Sequence, residues 1–232
     1  MLQGAVGQVR PVEVDGQVLV EKRMADPVRH DTEVLALRAL TQSELPVPSL
    51  VSVEPGSILM TLMPGERLDS LSTDEQLVGL RASAELLRRL HHVTPPRGLP
   101  DAPDDASIIR RYREMGGPPL PLRIPLARGP VFCHGDWTAG NLLAVDGEIT
   151  AVIDWEAAHV GDPLRELSRA AWGASLNDPR FFDAIVEGYG ADLVDARAWA
   201  PIHAAELWLW FREAGPPEYL SNLTRQLQEW PA

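Results

Sequence analysis

Residues 134–156 read HGDWTAGNLLAVDGEITAVIDWE, and this stretch sets two carboxylates and an amide around a pair of short apolar runs. Asp136 and Asn141 lie five residues apart on a segment that Gly135 and Gly140 make too permissive for a continuous helix. Residues 142–145 and 149–153 alternate as strands do. Between them stands Asp146-Gly147, the strongest short-range signal for a tight hairpin. Such a hairpin carries Asp154, thirteen residues after Asn141, back to its side.

Those residue types at that spacing suit phosphoryl transfer. Moving a phosphoryl group spreads negative charge over its oxygens, so catalysis rests on positioning and on charge neutralisation by magnesium. Magnesium takes hard oxygen donors, which Asp154 and Asn141 both offer. Asp136 is then the carboxylate that accepts a hydroxyl proton and holds that oxygen in line with the phosphorus. His134 reads as a residue that holds the loop and not as a proton carrier.

The order D-x4-N followed by I-D-W resembles the catalytic loop and magnesium-binding acid of protein kinases. With His-Gly-Asp at 134–136 and Asp-Trp at 154–155, it is similar to the aminoglycoside phosphotransferase and choline kinase family. The resemblance implies an α+β, two-lobed protein-kinase-like fold. A small antiparallel-sheet lobe would span residues 1–63 and a larger, mostly helical lobe residues 64–232. It also implies transfer of the γ-phosphoryl of ATP or GTP to a hydroxyl of a small molecule, with Mg2+ as cofactor. The alternative is a catalytically weak nucleotide-binding pseudokinase that acts through a partner.

Composition bounds these readings. The 232 residues are 45% hydrophobic and 23% charged, enough for one large core or two small ones. No apolar run approaches the roughly 18 residues of a membrane span, and the first residues lack the pattern of an export signal. A cytoplasmic protein without a membrane partner is expected. Cys133 is the only cysteine, so no intrachain disulfide can form, and its apolar neighbours mark a buried strand position. A net charge of −12 argues against nucleic acid, whose binding needs cationic phosphate contacts, and permits a cationic substrate.

The N-terminal region reads as the nucleotide-binding lobe. Residues 12–14, Asp15-Gly16 and residues 17–20 repeat the hairpin pattern and lead into Lys22, the only lysine among 21 cationic residues. A compact ammonium fits between phosphate oxygens where a planar guanidinium does not. The next helix is expected over residues 31–40, with Glu33 in its first turn. The resemblance makes Glu33 the acid that orients Lys22. Strands at residues 50–53 and 58–63 follow, and the second places Met60 and Met63 where the resemblance puts the nucleotide base, although such methionines are equally core residues. Gly4 and Gly7 are the only glycines available for a phosphate-covering loop. The first strand is therefore expected to be truncated or absent, with weakened triphosphate affinity.

From Pro64 onward the pattern turns helical. Ser72 and Glu75 resemble a capping box that opens a helix ending at Leu90. Pro163 opens another helix with Asp162 able to cap it. The resemblance also gives an acid at Asp162 the task of bracing the catalytic loop. Five of the seven tryptophans lie at or beyond Trp172, where Trp208 or Trp210 with Glu206 or Glu213 would suit an ammonium group, and helix packing would equally account for them. No residue is assigned to the acceptor.

Overall fold

The structure, a computed structural model, describes residues 2–3 and 7–229, so Gly4 lies outside the described residues while Gly7 begins a strand. The chain opens with β1 (Leu2–Gln3), β2 (Gly7–Val14) and β3 (Gln17–Met24). Helix α1 (Pro27–Leu40) comes next, then β4 (Leu50–Glu54) and β5 (Ser57–Thr61). The strands form one antiparallel sheet in the order β1-β2-β3-β5-β4. Asp15 and Gly16 both take positive φ, 50° and 78°, the geometry that lets a two-residue turn follow the twist of its strands. The first strand is present as a two-residue pairing of Leu2 with Val9 and Gln3 with Gln8.

Helix α1 starts earlier than its apolar period suggests. Asp26 accepts hydrogen bonds from the backbone N–H groups of Val28 and Arg29, and Pro27 occupies the first turn, where its missing N–H costs nothing. Glu33 consequently lies in the second turn, on the buried face, and the first turn carries no acid.

The remainder comprises β6 (Glu66–Arg67), α2 (Thr73–Leu90), α3 (Asp105–Glu114), β7 (Val131–Cys133), β8 (Leu142–Val145), β9 (Glu148–Val152) and β10 (His159–Gly161). Helices α4 (Pro163–Ser175), α5 (Arg180–Tyr189), α6 (Leu193–Arg197), α7 (Ala200–Glu213) and α8 (Pro217–Gln228) complete it. The capping box of α2 is made, with Ser72 Oγ accepting from Glu75 N and the Glu75 carboxylate accepting from Ser72 N. Strands β6, β8 and β9 form a three-stranded sheet, and β7 pairs with β10.

One hydrophobic cluster runs from Leu37, Leu40 and Ile58 of the first region through Leu68, Leu87 and Leu90 to Phe132, Leu142 and Trp155, without a break at residue 63. Each such fully buried side chain contributes about 1.5–3 kcal/mol from apolar burial. Trp155 is the largest of them, and it anchors the segment that carries the second acid against α1. Among the described residues, no helix is long and apolar enough to cross a membrane.

Candidate active site

The hairpin of β8 and β9 turns at Asp146 and Gly147, with φ of 50° and 83°, and its register sets Leu142 opposite Val152. The residues just outside that pair are Asn141 and Ile153, and Ile153 N donates to Asn141 O at 2.9 Å. Asp154 then turns into the left-handed region, φ 67° and ψ 66°. A non-glycine residue there stores about 1–3 kcal/mol of strain, held in place here by the buried Trp155 that follows.

Asp136 and Asn141 are in direct contact. The Asn141 amide nitrogen donates to the Asp136 backbone oxygen at 2.9 Å and to its carboxylate at 3.0 Å. Two acceptors on one side fix the amide orientation, so the Asn141 side-chain oxygen faces the other way. His134 is buried and joins the loop to the strand: Asp136 N donates to His134 Nδ1 at 3.1 Å, and His134 Nε2 meets Ile153 O at 3.0 Å. With Nδ1 accepting, the hydrogen must sit on Nε2, and neither ring nitrogen is left for proton transfer. Trp155 and Trp137 pack edge-on around the imidazole at 4.5 and 5.7 Å.

Gly135 makes this loop possible. At φ +85° its missing side chain is where a Cβ would stand 2.1 Å from the Ala157 oxygen. Its N–H donates to Glu166 Oε1 at 2.6 Å, and Glu166 Oε2 meets His91 Nε2 at 2.8 Å, while Tyr189 OH lies 2.7 Å from His91 Nδ1. Burial opposes ionisation of Glu166, but His91 and the Gly135 N–H outweigh it and hold the carboxyl down at about 2. Asp162 has a different task from the one the resemblance gave it. It caps α4 by accepting from Leu164 N and Arg165 N and also accepts from Arg128 N, while the loop is braced by Glu166, one helical turn further on.

Lys22 lies on β3 and is 5% exposed. Its ammonium reaches Glu33 of α1 at 2.6 Å, Asp154 at 2.5 Å and Glu156 at 3.0 Å. Glu156 is shared with Arg29 of α1 at 2.8 Å. Burial opposes the charge on Lys22, but Glu33 and Asp154 outweigh it and hold its pKa above the ordinary lysine range. Burial pushes the Glu33 carboxyl up, and Lys22 only partly pulls it back against Asp154 and Glu156. Lys22, Glu33 and Asp154 thus form one group and Asp136 with Asn141 a second, and the backbone bond from Ile153 to Asn141 ties the two together.

Other candidate residues make no contact with these groups among the described hydrogen bonds and ion pairs. Met60 is a core residue of β5 paired with Val20 and Leu50, and Met63 is half-buried beyond the strand, where its sulfur accepts from the Thr61 hydroxyl. Trp208 is buried and Trp210 exposed, on different faces of α7. The acids considered beside them are already taken: Glu206 pairs with Arg169 at 2.9 Å and Arg165 at 3.5 Å, and Glu213 with Arg111 at 2.8 Å. Burial pushes the Cys133 thiol up, which leaves it un-ionised and inert. Three contributors had no assignment in the sequence. Glu156 stood two residues past Asp154, and Glu166 one turn along the same face as Asp162, whereas His91 carried no local signal.

Known proteins resemble this chain in sequence and in fold. An aminoglycoside 3'-phosphotransferase of Escherichia coli is 27% identical over 194 residues, covering 71% of this chain and 71% of its own. The structure of the macrolide 2'-phosphotransferase MphH from Brachybacterium faecium matches with a TM-score of 0.67 at 19% identity, over 99% of this chain and 90% of its own. A thermostable mutant of aminoglycoside phosphotransferase APH(4)-Ia, in a ternary complex with AMP-PNP and hygromycin B, matches with a TM-score of 0.69 at 17% identity, over 99% of this chain and 90% of its own. At such identities the structural likeness is one of fold, and the fold is the two-lobed kinase-like one. The sequence pattern of the phosphotransferase enzyme family matches residues 20–204. That span is well over half of the 232 residues, and the chain belongs to the phosphotransferase enzyme family.

Proposed function

We propose that this chain transfers the γ-phosphoryl of ATP or GTP to a hydroxyl of a small-molecule acceptor, with Asp136 as the base that orients the hydroxyl. The observation that carries this reading is the pairing of Lys22 with both Glu33 and Asp154, residues 11 and 132 positions away, beside the Asp136–Asn141 contact. A buried ammonium held by three carboxylates is costly to build for stability alone, since apolar groups of similar volume would serve as well. An incoming triphosphate would take Lys22 over from Asp154, while Glu33 keeps its hold from the buried side.

The donor set fits magnesium. Asp154 offers a carboxylate whose side chain is 38% exposed, and Asn141 offers an amide oxygen freed by the commitment of its nitrogen to Asp136. Magnesium bound by these two residues would neutralise charge on the triphosphate. Asp136 accepts from Asn141 through one carboxylate oxygen, which leaves the other to receive the acceptor hydroxyl proton.

The relatives, named for phosphorylating aminoglycosides and macrolides, support a hydroxyl-bearing small molecule as the acceptor. A net charge of −12 is compatible with a cationic acceptor. The reading is tested by calorimetric titration of ATP with and without magnesium. Asp154→Ala should abolish the magnesium-dependent part of binding, and unchanged magnesium dependence would remove Asp154 from the site.

A further inference from the structure

Helix α3 and the chain at residues 122–124 border a shallow, open groove of about 480 Å³, well away in sequence from the residues assigned to phosphoryl transfer. Its size lies within the roughly 300–1,000 Å³ of small-molecule sites. Ile109 and Ile124 give it apolar walls, and Arg110, Arg113 and Arg123 reach it with Glu114 as the single acid of the lining. Ile124 is 54% exposed, although it is a large aliphatic side chain.

Among the described residues, seven of the twenty arginines make no ion pair, and three of those seven stand together on this groove. With 33 acidic residues against 21 cationic ones, an arginine has carboxylates to spare, and its neighbours use them: Arg111 pairs with Glu213 and Arg128 with Asp195. Among the described residues, Arg110 bonds only the Ser107 hydroxyl, at 2.8 Å, and Arg113 and Arg123 have no ion-pair partner. The helix dipole accounts for Arg113 in the last turn of α3. It accounts for neither Arg110, a turn earlier, nor Arg123, which lies beyond the helix.

We propose that this groove binds an amphipathic organic anion, a small molecule with a carboxylate or phosphate head and a short acyl or aromatic body. Arginine forks match the paired oxygens of such a head, and Ile109 and Ile124 cover the body. Glu114 and the overall charge of −12 disfavour polyanions and anionic membrane surfaces, which leaves a single compact anion as the occupant.

The test is calorimetric titration of the full chain with octyl phosphate, and with octanol and inorganic phosphate as its two halves. One octyl phosphate per chain should bind, at least about tenfold more tightly than either half. Arg110→Glu combined with Arg123→Glu should weaken it at least about tenfold with an unchanged urea midpoint, both side chains being exposed. Ile124→Ser should weaken it and leave inorganic phosphate unaffected. Absence of saturable binding, or equal binding by the double variant, would overturn the proposal. So would displacement by magnesium-ATP, which would put the probe in the nucleotide site, or tighter binding to phosphatidylglycerol vesicles, which would make the groove a membrane contact.

Discussion

Replacing Lys22 by methionine tests the charge balance on which the site is built. Methionine roughly keeps the volume of the stem and deletes the ammonium that Glu33, Asp154 and Glu156 share at 2.5–3.0 Å. Removing one partner of a buried ion pair costs about 3–5 kcal/mol. The lower end applies here, because Arg29 still holds Glu156 and water can reach Asp154, whose side chain is 38% exposed. The loss falls on Glu33, 1% exposed and left among like charges. Its carboxyl, already raised by burial, must rise further once Lys22 no longer pulls it down. A group whose pKa is raised by folding favours the native state while protonated and loses that contribution as pH rises through the folded pKa. The variant should therefore begin to recover stability from Glu33 at a higher pH than wild type does on acidification. Each pH unit over which Glu33 takes up its proton returns about 1.4 kcal/mol. Urea unfolding followed by tryptophan fluorescence should show a deficit of about 3 kcal/mol near pH 7.5 that is smaller near pH 5.5. Adding Glu33→Gln should remove the pH dependence. A deficit below about 1 kcal/mol that is the same at both pH values would refute the reasoning, since an isolated buried carboxylate cannot be that cheap.

Gly135→Ala should be among the most damaging single-methyl changes in the chain. Its Cβ would stand 2.1 Å from the Ala157 oxygen at a φ of +85°, so the loop must move away from Glu166. The expected result is a fall in kcat of at least about 100-fold, far beyond any change in nucleotide affinity, as befits a misplaced base. Acid unfolding should proceed in two limbs. Burial holds His203 down at about 4, so stability drops as pH falls from its unfolded value towards 4. Glu166 and Glu206, held at about 2, contribute stability above the ordinary carboxylate range that is lost as pH falls towards 2. His203→Gln should flatten the first limb in urea midpoints measured across pH and also reduce the share of the second that Glu206 contributes, since His203 helps hold that carboxyl down, and an unchanged first limb would contradict this assignment.

The parts legible in the sequence were those with local signals. Asp146-Gly147 and Asp15-Gly16 announced their hairpins because few residues tolerate the positive φ both turns use, and Ser72 with Glu75 announced α2 through a cap made within four residues. Lys22 stood out because it has no duplicate. The start of α1 was missed although Asp26-Pro27 signalled it, because polar residues of its first turns hide the apolar period. Glu166 and His91 were beyond reach for a deeper reason. Their roles are contacts across 31 and 75 residues, and a buried glutamate in an amphipathic helix reads as an ordinary surface acid until the fold supplies its partners. The same limit explains Asp162, where the cap was visible in the sequence and the residue that reaches the loop was not.

The central claim is that Asp136 orients a hydroxyl for attack on a nucleotide phosphoryl held by Lys22, Asp154 and Asn141. Its most direct test is a screen for γ-phosphate transfer from ATP and GTP to aminoglycosides, macrolides, sugars and amino alcohols, run in parallel with wild type and Asp136→Asn. The account predicts magnesium-dependent transfer to at least one acceptor, with kcat lower by about 100-fold or more in Asp136→Asn and nucleotide KM little changed. Transfer by Asp136→Asn at the wild-type rate would contradict it.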